Sequence, residues 1–169
     1  MKKILTGLAL FAVISGCSFF STMSAVEYNN AVVGKINEIS AQIEKAADTY
    51  NEVVPTIVRE NTEINTELME SELESAQDLF AQVDGLSSLK SKNLEQQNAV
   101  AEALKSYKST AETFFTDYEK MLTYYKDGTY KTDVSQVTAM DESIHADYSA
   151  FIESNNALVS TLDLYVDSN

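Results

Sequence analysis

Apolar residues recur along most of this chain at alternating spacings of three and four. The first such seam runs through Val32, Ile36, Ile39, Ile43, Ala46, Tyr50, Val53 and Ile57, with the period of about 3.5 residues that packed helices share. Ser24 and Glu27 stand three apart just upstream, the spacing of a capping box, and predict the helix start. A second helix over roughly 62–83 carries Met69, Leu73, Ala76, Phe80 and Val83, with Asp84-Gly85 as its stop. The third seam is the most regular: Val100, Leu104, Tyr107, Ala111, Phe114, Tyr118, Met121 and Tyr125. Asn93 and Gln96 predict its cap, and Lys126-Asp127-Gly128 its end. After a connection over 129–132, a fourth helix carries Val134, Val137, Asp141, Ile144, Tyr148, Phe151, Asn155, Leu158, Leu162 and Tyr165.

Further apolar residues widen each seam, among them Val33, Ala47, Val54, Ala103, Phe115, Leu122, Ile152 and Val159. A wide stripe suits a globular core, whereas a two-stranded coiled coil needs only the seam. The expected fold is all-α: an antiparallel up-down four-helix bundle over residues 24–169, with helices of about 25–33 residues. Oligomeric helical hairpins are the other arrangement compatible with the pattern. One break is ambiguous. Pro55 lacks a backbone donor and disfavours helix at Val54, and the polar Arg59-Glu60-Asn61-Thr62 follows. We expect a turn within 54–62; the alternative is one kinked helix from 24 to 84, about 90 Å long.

The N-terminus has a different pattern. Met1-Lys2-Lys3 is a positive start, and residues 4–14 are almost wholly apolar. About a dozen residues suit a secretory segment, since a membrane-spanning helix needs roughly 20. The run closes on Ile14-Ser15-Gly16-Cys17, and Cys17 is the single cysteine of 169 residues. This segment resembles bacterial lipoprotein signal peptides, whose lipobox is an aliphatic residue, two small residues and Cys. The resemblance implies recognition of Ile14, Ser15 and Gly16 by the signal peptidase and cleavage after residue 16. It also implies diacylglyceryl attachment to the Cys17 thiol, and usually acylation of the new amino group. Two or more acyl chains give stable anchoring. Residues 17–23 then form the lipidated cysteine and a short tether. Ser18 is compatible with outer-membrane sorting where the host has two membranes; otherwise the expected address is the outer face of the cell membrane.

A lone cysteine excludes a disulfide framework and a multi-thiolate metal site. Losing residues 1–16 removes two lysines and no acid, taking the net charge from −14 to −16. So acidic a domain repels phosphate backbones, which argues against a nucleic-acid partner. The lipid, rather than a basic patch, is then what holds the domain at the membrane.

Candidate chemistry is sparse. Glu142 and His145 have the Glu-x-x-His spacing of di-iron bundles, but such sites need the motif twice and the chain has one His. With Ile144 in the seam, Glu142 projects outward and His145 lies at the margin. Asp141 and Asn155 fall on seam positions, where a polar side chain needs a partner and commonly fixes register. They are the candidate core polar or ligand site, with Tyr107, Tyr118 and Tyr148 supplying hydroxyls. The acids Glu63, Glu67, Glu70, Glu72 and Glu74 surround the second helix without converging as a cation site requires. No catalytic residue, metal site or cofactor is expected.

Glu27-Tyr28-Asn29-Asn30 after the anchor, and Tyr148 with the stretch from Asn155 to Leu158 near the end, resemble the YiiG-like group of small bacterial lipoproteins. That resemblance implies a helical envelope lipoprotein without an assigned activity. The expected function is therefore that of a membrane-anchored, non-enzymatic envelope protein. Its expected partners are the membrane, through Cys17, and another envelope protein. A small-molecule or cation binder with a polar cavity in the bundle is the alternative.

Overall fold

The computed structural model describes residues 22–60 and 66–165, with residues 55–60 described by backbone alone. The lipobox, Cys17 and most of the tether lie outside the described residues. The chain is all-α: α1 (Ala25–Glu60), α2 (Glu67–Phe80), α3 (Val83–Leu86), α4 (Leu94–Asp127), α5 (Thr129–Thr132) and α6 (Val134–Asp163). Among the described residues there is no strand, only an isolated bridge between Met23 and Ser91.

The helix starts form as their side chains dictate. The Ser24 backbone N–H donates to Glu27 Oε2 at 2.8 Å, and the Glu27 N–H donates to Ser24 Oγ at 3.2 Å. Two orphan donors are thereby satisfied reciprocally. Asn93 accepts from the Gln96 N–H at 3.1 Å and Asp133 from the Gln136 N–H at 3.0 Å, capping α4 and α6. α4 stops at Gly128, whose φ of +82° lies in the left-handed region that glycine enters without a Cβ penalty.

Interhelical bonds give the directions. Gln42 and Lys45 of α1 both reach Glu72 of α2, at 2.9 and 2.8 Å. Along α2 and α4, Lys126 pairs with Glu70 at 2.8 Å and Gln77 donates to Glu119 at 2.8 Å. Between α4 and α6, Thr110 Oγ1 lies 2.6 Å from Ser154 Oγ, and Ser143 donates to Asp117 at 2.7 Å. Between α1 and α6, Ser40 meets Asn155 and Tyr50 meets Asp141. In the last three pairs one number rises as the other falls, so each is antiparallel; α1 therefore runs with α4, and α2, opposed to α4, is opposed to α1 as well. The α4–α6 contact is the most extensive, followed by α1–α2.

The core follows the seams. All eight predicted α4 positions are buried, as are Val32, Ile36, Ile39, Ile43, Ala46 and Tyr50 of α1 and Met69, Leu73 and Ala76 of α2. Phe80 packs against the core while partly exposed. In α6, Val134 is 67% exposed and the buried face takes in Met140 and Ser154, so that stripe lies slightly off the predicted one.

Four expectations need correction. The first helix does not break at Pro55 but continues to Glu60. Pro55 leaves the Asn51 carbonyl without its helical donor, and because Asn51 is exposed water can serve instead. The chain has nonetheless reversed by the start of α2, because a straight helix would hold Gln42 and Glu72 about 45 Å apart. The helices are not of even length: α1, α4 and α6 have 36, 34 and 30 residues, whereas α2 has only 14. Gly85 is no helix terminator; it sits inside α3, after α2 has ended in tight turns through Ala81 and Gln82. Met23, expected in the tether, belongs to the fold: its N–H donates to the Lys90 carbonyl and its carbonyl accepts from the Lys92 N–H, each at 2.8 Å.

Beside that junction, Gln96 is fully buried, donating to the Ala25 carbonyl at 3.0 Å and accepting from Ser91 Oγ at 2.9 Å. The starts of α1 and α4 are thus locked together at one end.

Two glycines allow a test with opposite signs. Gly34 is an exposed mid-helix residue, and a Cβ there meets nothing within 4 Å. Gly34→Ala should stabilise the fold by about 0.5–1 kcal/mol. Gly128→Ala has equal space but positive φ, and should destabilise by about 1 kcal/mol. Chemical denaturation of both variants reads the signs directly.

Candidate functional site

The candidate residues occupy two separate polar knots. In the first, Ser40 Oγ donates to Asn155 Oδ1 at 3.0 Å, and the Tyr107 hydroxyl lies 3.0 Å from the same Ser40 oxygen. With the Ser40 proton directed at Asn155, Tyr107 donates to Ser40. One residue from each of α1, α4 and α6 is thereby joined. Burial pushes the Tyr107 hydroxyl up to about 12, so it stays a neutral donor.

In the second knot the Tyr50 hydroxyl donates to Asp141 Oδ1 at 2.7 Å. Burial, with the Asp141 carboxylate adding to it, drives the Tyr50 hydroxyl far above its ordinary range. His145 Nε2 is 3.7 Å from the same Asp141 oxygen, and its ring meets Tyr50 edge-on at 6.1 Å. The His145 side chain is 54% exposed and Glu142 is exposed, as the helical phase predicted.

Asp141 and Asn155 are fourteen residues apart on one helix, about 21 Å. They do not share a cavity. Tyr118 hydrogen-bonds within neither knot, although its ring meets Tyr50 edge-on at 5.2 Å; its hydroxyl donates to the Ala46 carbonyl at 3.3 Å while its ring stacks on Phe114 at 5.7 Å. Tyr148 is half-buried against Phe114 and Phe151. Its hydroxyl is pushed up to about 12 by burial, with Glu44 and Asp48 adding to the effect. Ser40, Tyr50, Tyr107, Tyr118, Asp141 and Asn155 are each bonded to a neighbouring helix. As a set they fix helix register, the role that polar core positions commonly serve.

A cavity of about 380 Å³ lies elsewhere, where α4 turns into α5. It is lined by Thr66, Tyr125, Lys126, Asp127, Gly128, Tyr130 and Lys131. Its charges are already engaged: Lys126 pairs with Glu70, Asp127 accepts from the Thr129 N–H, and the Lys131 ammonium sits 5.2 Å over the Tyr130 ring. Among the described residues, no group of three or more His, Cys, Asp or Glu side chains could hold a metal ion. Of the acids around α2, Glu70 and Glu72 are taken up by Lys126 and Lys45, which hold their carboxyls below the usual range; Glu63 lies outside the described residues.

One pair of acids was not anticipated. Asp117 of α4 and Asp147 of α6 face each other across the largest helix contact. Asp117 accepts from Ser143, whereas Asp147 Oδ2 is buried with no donor. Burial, then the Asp117 carboxylate, raises the Asp147 carboxyl above its ordinary value. Each residue lies one position before a seam tyrosine, Tyr118 or Tyr148. Sequence spacing marks them as flanking but not as meeting.

No protein-family model, curated protein or solved structure matches the chain.

The acid pair has a pH signature. With its folded pKa raised, Asp147 contributes stability that is fully present below its ordinary value of 3.8 and lost as pH rises through the folded value. At neutral pH the facing carboxylates repel. Asp147→Asn should therefore stabilise the protein at pH 7, the gain shrinking to nothing as pH falls below 3.8. Denaturant titrations of both proteins across that range measure it, and a pH-independent difference would rule out the facing pair.

Proposed function

We propose that this protein is a lipid-anchored bacterial envelope lipoprotein. In this reading its exported part is a single antiparallel up-down four-helix bundle that acts through its outer faces. The observation that carries the reading is the lipobox Ile14-Ser15-Gly16-Cys17 after a short apolar segment with a lysine start. The pairwise antiparallel packing of α1, α2, α4 and α6 supports the bundle, and the resemblance to YiiG-like lipoproteins agrees with the address. Among the described residues no helix is long and apolar enough to cross a membrane, so membrane attachment in this account falls to Cys17.

A non-enzymatic role is favoured by the interior. The hydroxyl, amide and carboxylate groups at Ser40, Tyr50, Tyr107, Asp141 and Asn155 satisfy one another across helices, leaving none poised toward a shared substrate cavity. What remains for recognition is the acidic, solvated exterior. Its partner is another envelope protein, held at the same bilayer and bound by helix-face contacts.

Comparison of native protein with Cys17→Ser in its host tests this. The native chain should sediment wholly with membranes and yield a discrete cross-linked partner. The Cys17→Ser chain should lose both while keeping its helical circular dichroism. Equal partitioning of the two proteins would end the anchoring reading. Full anchoring with no cross-linked species at any density of linker would end the partner reading alone.

A further inference from the structure

Among the described residues, the large apolar side chains that reach solvent lie at the two ends of the molecule, apart from Ile152 on the flank of α6, 41% exposed. At one end Val26 is 40% and Leu94 68% exposed. They belong to the first turns of α1 and α4, which the Gln96–Ala25 bond and the Met23–Lys90 and Met23–Lys92 bonds hold side by side. α6 runs toward this end and finishes with Leu164, 73% exposed. At the far end Leu68 and Val134 are 51% and 67% exposed.

Their charged neighbours separate the two ends. Leu68 lies between Glu67 and Glu70 in the first turn of α2, with Lys126 paired to Glu70, and Val134 follows Asp133. At the near end, exposed Lys90 and Lys92 offset Glu27 and Glu95 around Val26 and Leu94, while Asp163 stands beside Leu164; the Val26–Leu94 side is thus a locally neutral apolar rim on a protein of strongly negative charge. The chain enters the fold at this rim. Cys17 lies six peptide steps from the pinned Met23, so an anchored cysteine holds the rim within at most about 22 Å of the bilayer.

We infer that this rim rests on the phospholipid headgroup layer, with Val26 and Leu94 immersed in it and Lys90 and Lys92 at its phosphates. The inference deepens the anchored-lipoprotein reading and rests on it. Apolar side chains partition into the headgroup boundary, and basic residues beside them add attraction. The bundle then stands on end, with the cavity at the α4–α5 turn on the far side. α1 alone is about 54 Å long, so the far end is held well clear of the lipid.

The chain has no tryptophan, so single reporters are unambiguous. Full-length Leu94→Trp and Leu68→Trp proteins, purified from membranes with their anchors, are reconstituted into vesicles of ordinary or brominated phosphatidylcholine and phosphatidylglycerol. Both sites are exposed, so the substitutions should not disturb folding. L94W should lose on the order of half its emission in brominated vesicles, at the depth of 5–10 Å where interfacial side chains sit, and L68W should be unchanged. Vesicle-bound protein with neither reporter quenched overturns the resting rim while leaving the anchor intact. Equal quenching of both overturns it too, since the bundle would then lie on its side. A purified chain without acyl mass on Cys17 removes the anchor, and this inference falls with it.

Discussion

The aromatic ridge of α4 is the constraint around which the other helices are arranged. Tyr107, Phe114, Tyr118 and Met121 are fully buried on one face. Such side chains bring large apolar areas into the core, but the two tyrosines also bring hydroxyls that must find partners. Each finds one on α1: Ser40 for Tyr107 and the Ala46 carbonyl for Tyr118. The ridge therefore sets how deep α1 lies and its register along α4. Tyr107 packs on Phe151 and Phe114 on Tyr148, at 5.2 and 5.6 Å, which places α6. The short α2 buries Met69, Leu73 and Ala76 against the core, with the partly exposed pairs Lys45–Glu72 and Lys126–Glu70 along its edges.

Around this ridge the polar groups of Ser40, Tyr50, Tyr107, Tyr118, Asp141 and Asn155 are bonded across helices and hold them in phase. Asn155 and Asp141 serve two levels of the same α1–α6 contact rather than one site. Among the described residues, the buried Asn29 Oδ1, Tyr125 hydroxyl and Asp147 Oδ2 have no such partner, and in the Asp117–Asp147 pair packing forces two carboxyls together. Its repulsion at neutral pH is set against the stabilisation of the surrounding aromatic contacts.

Much of this was legible in the residues. The α4 seam, the capping box at Ser24 and Glu27, the Asn93 cap and the Gly128 stop follow from local chemistry alone, and local chemistry is what short-range patterns record. The failures have physical causes. Pro55 reads as a breaker, but a proline near a helix end costs one bond, and water can replace it. Gly85 reads as a terminator, but without a positive φ it is only a flexible residue in a helical turn. Gln96 continues the α4 seam, four residues before Val100, so a polar residue in an apolar phase did signal a buried partner. That partner, the Ala25 carbonyl, is backbone and leaves no mark in the sequence. Asp117 and Asp147 could not be paired in advance because their meeting depends on the rotation of α4 against α6.

In the proposed reading, the helical acidic domain hangs from a lipidated Cys17. The most direct test is the intact mass and N-terminal peptide of the protein taken from its native membranes. The account predicts a chain that begins at Cys17 and carries diacylglycerol on the thiol. A chain that begins at Met1 with a free thiol would contradict it.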